Sequence, residues 1–172
     1  MRTLVVALIG VVAFASGVML GFKLDDDPST PIEASGLPAE VETTRAALLA
    51  AAESGDYEAL RPLIPDSGFT YTYGRPAERD PIAFWQRLER TTGERPLETL
   101  AAILAMPYTL TRNYVWPFAY AVDSVGDLSG YERTLLAPLG PSDTLFAPGT
   151  GYLGWRTGIA PDGTWTFFVA SD

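Results

Sequence analysis

Hydrophobic and polar positions divide the chain into one continuous apolar stretch and a longer, patterned remainder. From residue 3 to residue 22 no side chain is charged, and Leu, Val, Ile, Ala and Gly dominate. A helix of about 20 such residues spans about 30 Å, the thickness of a bilayer's hydrocarbon core. Arg2 lies before this stretch, and Lys23 with Asp25, Asp26 and Asp27 after it. These flanks favour an N-terminus inside and the rest of the chain exported. Ala13-Phe14-Ala15 has the small-x-small form of a signal cleavage site, but the apolar run continues through Val18, Met19, Leu20 and Phe22. A retained transmembrane anchor is therefore expected, with a cleaved signal segment as the alternative. Residues 1–23 form this segment, residues 24–38 an acidic, proline-containing linker, and residues 39–172 the folded body.

Within the body the pattern shifts between helical and strand periods. Residues 39–53 place Val41, Leu48, Leu49 and Ala52 on one helical face, with Ser54-Gly55 as a stop. Asp56 can cap a short helix through Leu60, ended near Pro62 and Pro65. Phe69-Thr70-Tyr71-Thr72-Tyr73 alternates and predicts a strand with one buried face. Asp80-Pro81 predicts a capped helix start, followed by Ile82, Trp85 and Leu88 on a shared face with Phe84 beside them. Pro96 opens another helix, in which Leu97, Leu100, Ala101 and Leu104 recur at helical spacing, and Pro107 closes it. Tyr108, Leu110, Arg112, Tyr114 and Trp116 alternate with Thr109, Thr111, Asn113 and Val115, which predicts a second strand. Residues 123–130 read as loop, residues 131–139 as a short helix, and the stretch to Gly151 as a Pro/Gly-rich loop. The last elements, 152–159 and 164–170, are joined by Ala160-Pro161-Asp162-Gly163, a β-hairpin turn. The pattern predicts an α+β body with a mainly antiparallel sheet.

Composition narrows the chemistry. The 172 residues carry 12 basic and 21 acidic side chains, for a net charge of −9. Such an acidic chain has no general attraction to phosphate backbones, so no nucleic-acid partner is expected. There is no cysteine and no histidine. That excludes disulfides, a thiol nucleophile, a Ser-His-Asp triad and histidine-based zinc sites. No cofactor motif is present: Gly149, Gly151, Gly154 and Gly158 do not lie between a strand and a helix, as a phosphate cradle requires. Asp25–Asp27 read as a solvated spacer. Asp123 and Asp127 lack the alternating spacing of a calcium loop, so no metal site is assigned. Lys23 is the only lysine, and the Ala, Gly, Pro and Arg bias associates the chain with a GC-rich bacterial genome. The expected location is a bacterial cell envelope, anchored in the inner membrane with the body outside the cytoplasm, or periplasmic after cleavage.

Seven residues are candidates for ligand binding. Arg112 shares a strand face with aromatics, and a buried arginine needs an anionic partner; the structural alternative is a rim arginine whose head reaches water. Tyr71, Tyr73, Tyr114 and Trp116 are candidates for lining a pocket that stacks a planar or sugar-like ligand, against ordinary sheet core. Trp155 and Arg156, with Tyr152, form a candidate recognition patch, against core packing of Trp155 and an exposed Arg156. No catalytic residue is assigned.

Three segments resemble the NTF2-like (SnoaL-like) α+β superfamily. The run from Arg45 to Leu60, with its Gly55-Asp56-Tyr57 turn, resembles that family's opening helices. Ile82-Ala83-Phe84-Trp85 is similar to its third helix, and Asp162-Gly163-Thr164-Trp165-Thr166-Phe167 to a late strand in which Asp-Gly precedes Trp. The resemblance implies N-terminal helices packed on a curved antiparallel sheet, a cystatin-like cone with a pocket. The helix at residues 96–106 is additional to that plan, and the Asp and His residues of catalytic members have no counterpart. The expected function is a non-catalytic binding or assembly module with an envelope protein partner. The alternative is a small-molecule-binding protein or a carboxylate-based enzyme with an NTF2-like pocket containing Arg112.

Overall fold

The computed structural model describes residues 36–74 and 78–170. The apolar segment 1–23 and most of the linker lie outside the described residues. Among the described residues, no helix is long and apolar enough to cross a membrane.

Helix α1, Ala39–Ser54, buries Val41, Leu48, Ala51 and Ala52 and ends at Gly55, whose left-handed φ of 71° returns its N–H to the Ala52 carbonyl. The Asp56 carboxylate then accepts from the Glu58 N–H and opens a 3-10 turn over Tyr57–Leu63. Helix α2, Pro81–Thr92, starts as its Asp80-Pro81 signal predicts: Oδ1 of Asp80 accepts from the Ile82 N–H at 3.1 Å. Helix α3, Pro96–Leu104, buries Leu97, Leu100, Ile103 and Leu104. Arg45 on α1 donates to the Leu104 carbonyl at 2.9 Å, tying α1 to the end of α3.

The main sheet is antiparallel in the order β1-β2-β5-β6: β1 Thr109–Leu110, β2 Tyr114–Trp116, β5 Arg156–Ile159 and β6 Trp165–Val169. Its helix-facing side carries Trp116, Ile159, Trp165 and Phe168, which join Leu48, Trp85 and Leu100 in one core cluster. Burial of these large side chains is the dominant favourable term in such a domain. Thr157, fully buried among them, accepts from the Trp165 indole N–H at 2.7 Å and donates to the Phe167 carbonyl at 2.8 Å. The β5–β6 turn forms as expected. Gly163 adopts φ 85°, and its carbonyl accepts from the Thr44 hydroxyl at 2.6 Å, docking the turn on α1.

A second cluster, around Phe118, Leu128, Leu136, Phe146 and Tyr152, fills the space under helix α4, Gly130–Leu136. Ser129 and Glu132 cap α4 reciprocally. Beside it, a small hairpin pairs β3, Phe146–Ala147, with β4, Gly151–Tyr152.

Three strand expectations need correction. Residues 69–73 do not form a strand; Thr70 alone makes a parallel bridge to Phe167, through Thr70 N–H to Thr166 O and Phe168 N–H to Thr70 O. The segment 108–116 is a tight hairpin, because Thr111 turns back and its N–H donates to the Asn113 carbonyl at 2.9 Å. The strand expected over 152–159 is broken: β4 pairs with β3, and β5 starts only at Arg156. The loop expected up to Gly151 holds this β3–β4 hairpin.

Candidate functional site

The hairpin decides the fate of Arg112. Its loop has three residues, an odd number, so Leu110 still pairs with Tyr114 and the even-numbered side chains keep one face across the turn. Alternation in the sequence therefore survives while the strand does not. Arg112 sits at the exposed tip and forms no ion pair or hydrogen bond with the described residues. It lines none of the clefts below. Of the other two candidates on this segment, Trp116 is fully buried in the core and Tyr114 is partly buried against it; Tyr108 packs between them, with ring centroids 5.6 and 5.4 Å away.

Tyr71 and Trp155, by contrast, are brought together. Both line a cleft of about 260 Å3, together with Thr72, Glu94, Ala170, and Phe84 and Leu88 of α2. The Tyr71 and Phe84 rings meet edge-on at 5.3 Å. Tyr71 is held by its hydroxyl, which donates to the Glu78 carbonyl at 2.9 Å. Trp155 packs one side against Phe168, with centroids 4.6 Å apart. Its indole N–H donates to Oε2 of Glu94 at 3.0 Å. Glu94 reaches this position because Gly93, at φ 77°, ends α2 and reverses the chain. The result is an aromatic cleft with one carboxylate, among the described residues, at its exposed side.

Arg156 and Tyr73 form a second pairing. The patch expected at Trp155 and Arg156 is inverted: Arg156 is 7 % exposed, whereas Trp155 is half-buried. Arg156 donates to the Tyr73 hydroxyl at 3.1 Å and to the Gly154 carbonyl at 3.4 Å. Its guanidinium lies 5.5 Å from the Tyr73 ring centre and 5.8 Å from that of Tyr120. Arg156 and Tyr120 border a shallow cleft of about 450 Å3 that includes Thr111, Asp123 and Tyr152. Burial pushes the Tyr152 phenol well above its ordinary pKa, with the Arg156 charge opposing more weakly.

A third cleft, of about 410 Å3, contains Tyr57, Glu89, Arg95 and Glu98. The Tyr57 hydroxyl donates to Oε2 of Glu89 at 2.8 Å, and burial followed by this bond raises its pKa strongly. Arg95 and Glu98 pair at 2.9 Å, both exposed. Sequence reasoning did not single out this cleft, nor Phe84 and Glu94 of the aromatic one. Phe84 did carry a signal: with Leu88 it forms an i, i+4 apolar pair beside the buried stripe of α2. Among the described residues, no three carboxylate, histidine or cysteine side chains are grouped so as to hold a metal ion.

Comparison of the chain with protein-family models, with curated proteins and with solved structures returned no match.

Proposed function

We propose that this chain is a non-catalytic binding module, held outside the cytoplasm by residues 3–22, that captures a small ligand group or a partner's side chain in its aromatic cleft. The observation that carries this reading is the convergence of Tyr71 and Trp155 with Phe84 around one concave, partly apolar site. Clefts lined by aromatics with a few placed polar groups are the usual form of a ligand site. We also propose an NTF2-like body; helices packed on an antiparallel sheet are compatible with it. The alternative pocket built around Arg112 loses its support, because that residue stands on the outer tip of a hairpin.

Tryptophan emission offers a direct test. Of the four indoles, Trp85, Trp116 and Trp165 are at most 1 % exposed, so Trp155 alone of them is partly open to solvent. The full chain, in phosphatidylglycerol nanodiscs, is titrated with a panel of small organic fragments. At least one should change the emission saturably, and Trp155→Phe should abolish the response. A panel with no saturable member, or a response that persists in Trp155→Phe, overturns the reading. Turnover of a substrate that is lost on substitution of one carboxylate overturns its non-catalytic part.

A further inference from the structure

Resting on that reading, we propose that the aromatic cleft selects a small organic cation, specifically one bearing a methylated ammonium group. Three ring systems, Tyr71, Phe84 and Trp155, wall the site, and the Tyr71 and Phe84 planes meet at 64°. Rings set at an angle do not offer the parallel faces that sandwich a flat ligand, whereas a compact cation needs only an open π-face.

Among the described residues the charge in the cleft has one sign: Glu94 is the one carboxylate of its lining, and no basic side chain lines it. One Glu94 oxygen is engaged by the Trp155 indole; the other, Oε1, accepts no hydrogen bond from the described residues. A carboxylate fixed to an aromatic wall complements a cation held over the ring. Arg87 approaches Phe84, with its guanidinium carbon 5.8 Å from the ring centre, so this aromatic already takes a positive charge. That charge is paired with Glu78 at 2.7 Å and does not line the cleft. An anionic ligand would meet the Glu94 carboxylate, unpaired with any basic side chain of the described residues, on a chain of net charge −9.

The polar lining also bears on the kind of cation. Besides Glu94, the walls offer the Thr72 hydroxyl, which already accepts from the Gly74 N–H at 3.2 Å, and the phenol of Tyr71, which donates to a backbone carbonyl. A primary ammonium carries three N–H donors that need acceptors, and these walls supply few. A methylated ammonium carries charge without that demand, and its methyl groups gain from burial against the rings.

The test compares choline with its neutral isostere, 3,3-dimethylbutan-1-ol, on the full chain in phosphatidylglycerol nanodiscs, which contain no choline lipid. Trp155 emission is the readout. Choline should saturate, with the isostere weaker by about tenfold or more, as cation–π attraction in a partly desolvated site requires. Glu94→Gln keeps an acceptor for the indole N–H, so the wall stays in place. It should weaken choline by about threefold or more and leave the isostere unchanged, as expected for a charge on the exposed side of the cleft. Equal binding of the two probes overturns the cation inference and leaves the binding module standing. No response to choline, with another fragment of the panel binding, does the same. Silence of every probe removes both.

Discussion

The Phe167 ring lies directly over the α-carbon of Gly158, its partner across β5 and β6, where a side chain of any size would enter the ring's own volume. The register shifts just beyond, between Gly158 and Ile159, and the Thr166 hydroxyl donates to the Gly158 carbonyl at 2.8 Å. Glycine inside a strand often marks such a bulge and such a close approach. Gly158→Ala should therefore destabilise the body by about 1–3 kcal/mol, the range for overpacking. Urea unfolding checks this, and Phe167→Leu in the same chain should recover part of the loss, since the two changes act at one contact. A midpoint unmoved by Gly158→Ala would show that the ring relaxes at no cost.

Two arginines on the same sheet should respond in opposite ways to removal. Arg112, exposed at the hairpin tip, should tolerate alanine within about 0.5 kcal/mol, as surface sites do. Arg156, buried and flanked by the Tyr73 and Tyr120 rings, should cost about 1–3 kcal/mol when replaced by leucine, through lost packing and hydrogen bonds. Denaturant midpoints of the two variants decide it. A large loss at Arg112, or none at Arg156, would contradict the placement of these side chains.

The contrast between these arginines shows where sequence reading reaches its limit. Signals are legible where the physics is local: the Asp80 cap with Pro81, the Gly55 stop of α1 and the Pro161-Asp162-Gly163 turn each determine their own backbone. Alternation misleads at Arg112 because a three-residue loop preserves the period of a strand while ending it. Alternation at 69–73 misleads differently. Only Thr70 finds a partner strand, and pairing is a long-range event that the segment's own composition does not decide. The aromatic cleft is of the same kind. Tyr71 and Trp155 are legible as aromatic candidates, but their meeting depends on segments distant in the chain coming together at Phe84 of α2 and at Glu94 just beyond its end. The sequence places Arg156 in a surface patch; the fold draws it inward, where tyrosine rings and a backbone carbonyl meet its head group.

Buried tyrosines give the fold a definite alkaline limit. Burial first, and for Tyr57 also its bond to the ionised Glu89, hold the phenols of Tyr57 and Tyr152 in their neutral form to a pH well above the ordinary value. In the unfolded chain both titrate near pH ~10. A group whose folded pKa is raised contributes stability that is complete below the unfolded pKa, and the unfolded state loses its protons first as pH rises. Stability should thus hold steady to about pH 9 and then fall above about pH 10, each tyrosine adding a slope of up to ~1.4 kcal/mol per pH unit. Unfolding in urea at a series of pH values measures the slope directly. Tyr152→Phe should make it shallower by about one proton's worth, at the expense of the hydroxyl's 3.0 Å bond to the Trp155 carbonyl. An unchanged slope in that variant would mean that Tyr152 ionises in the folded chain as readily as in the unfolded one, and that its hydroxyl is not shut away between β4 and the start of β5.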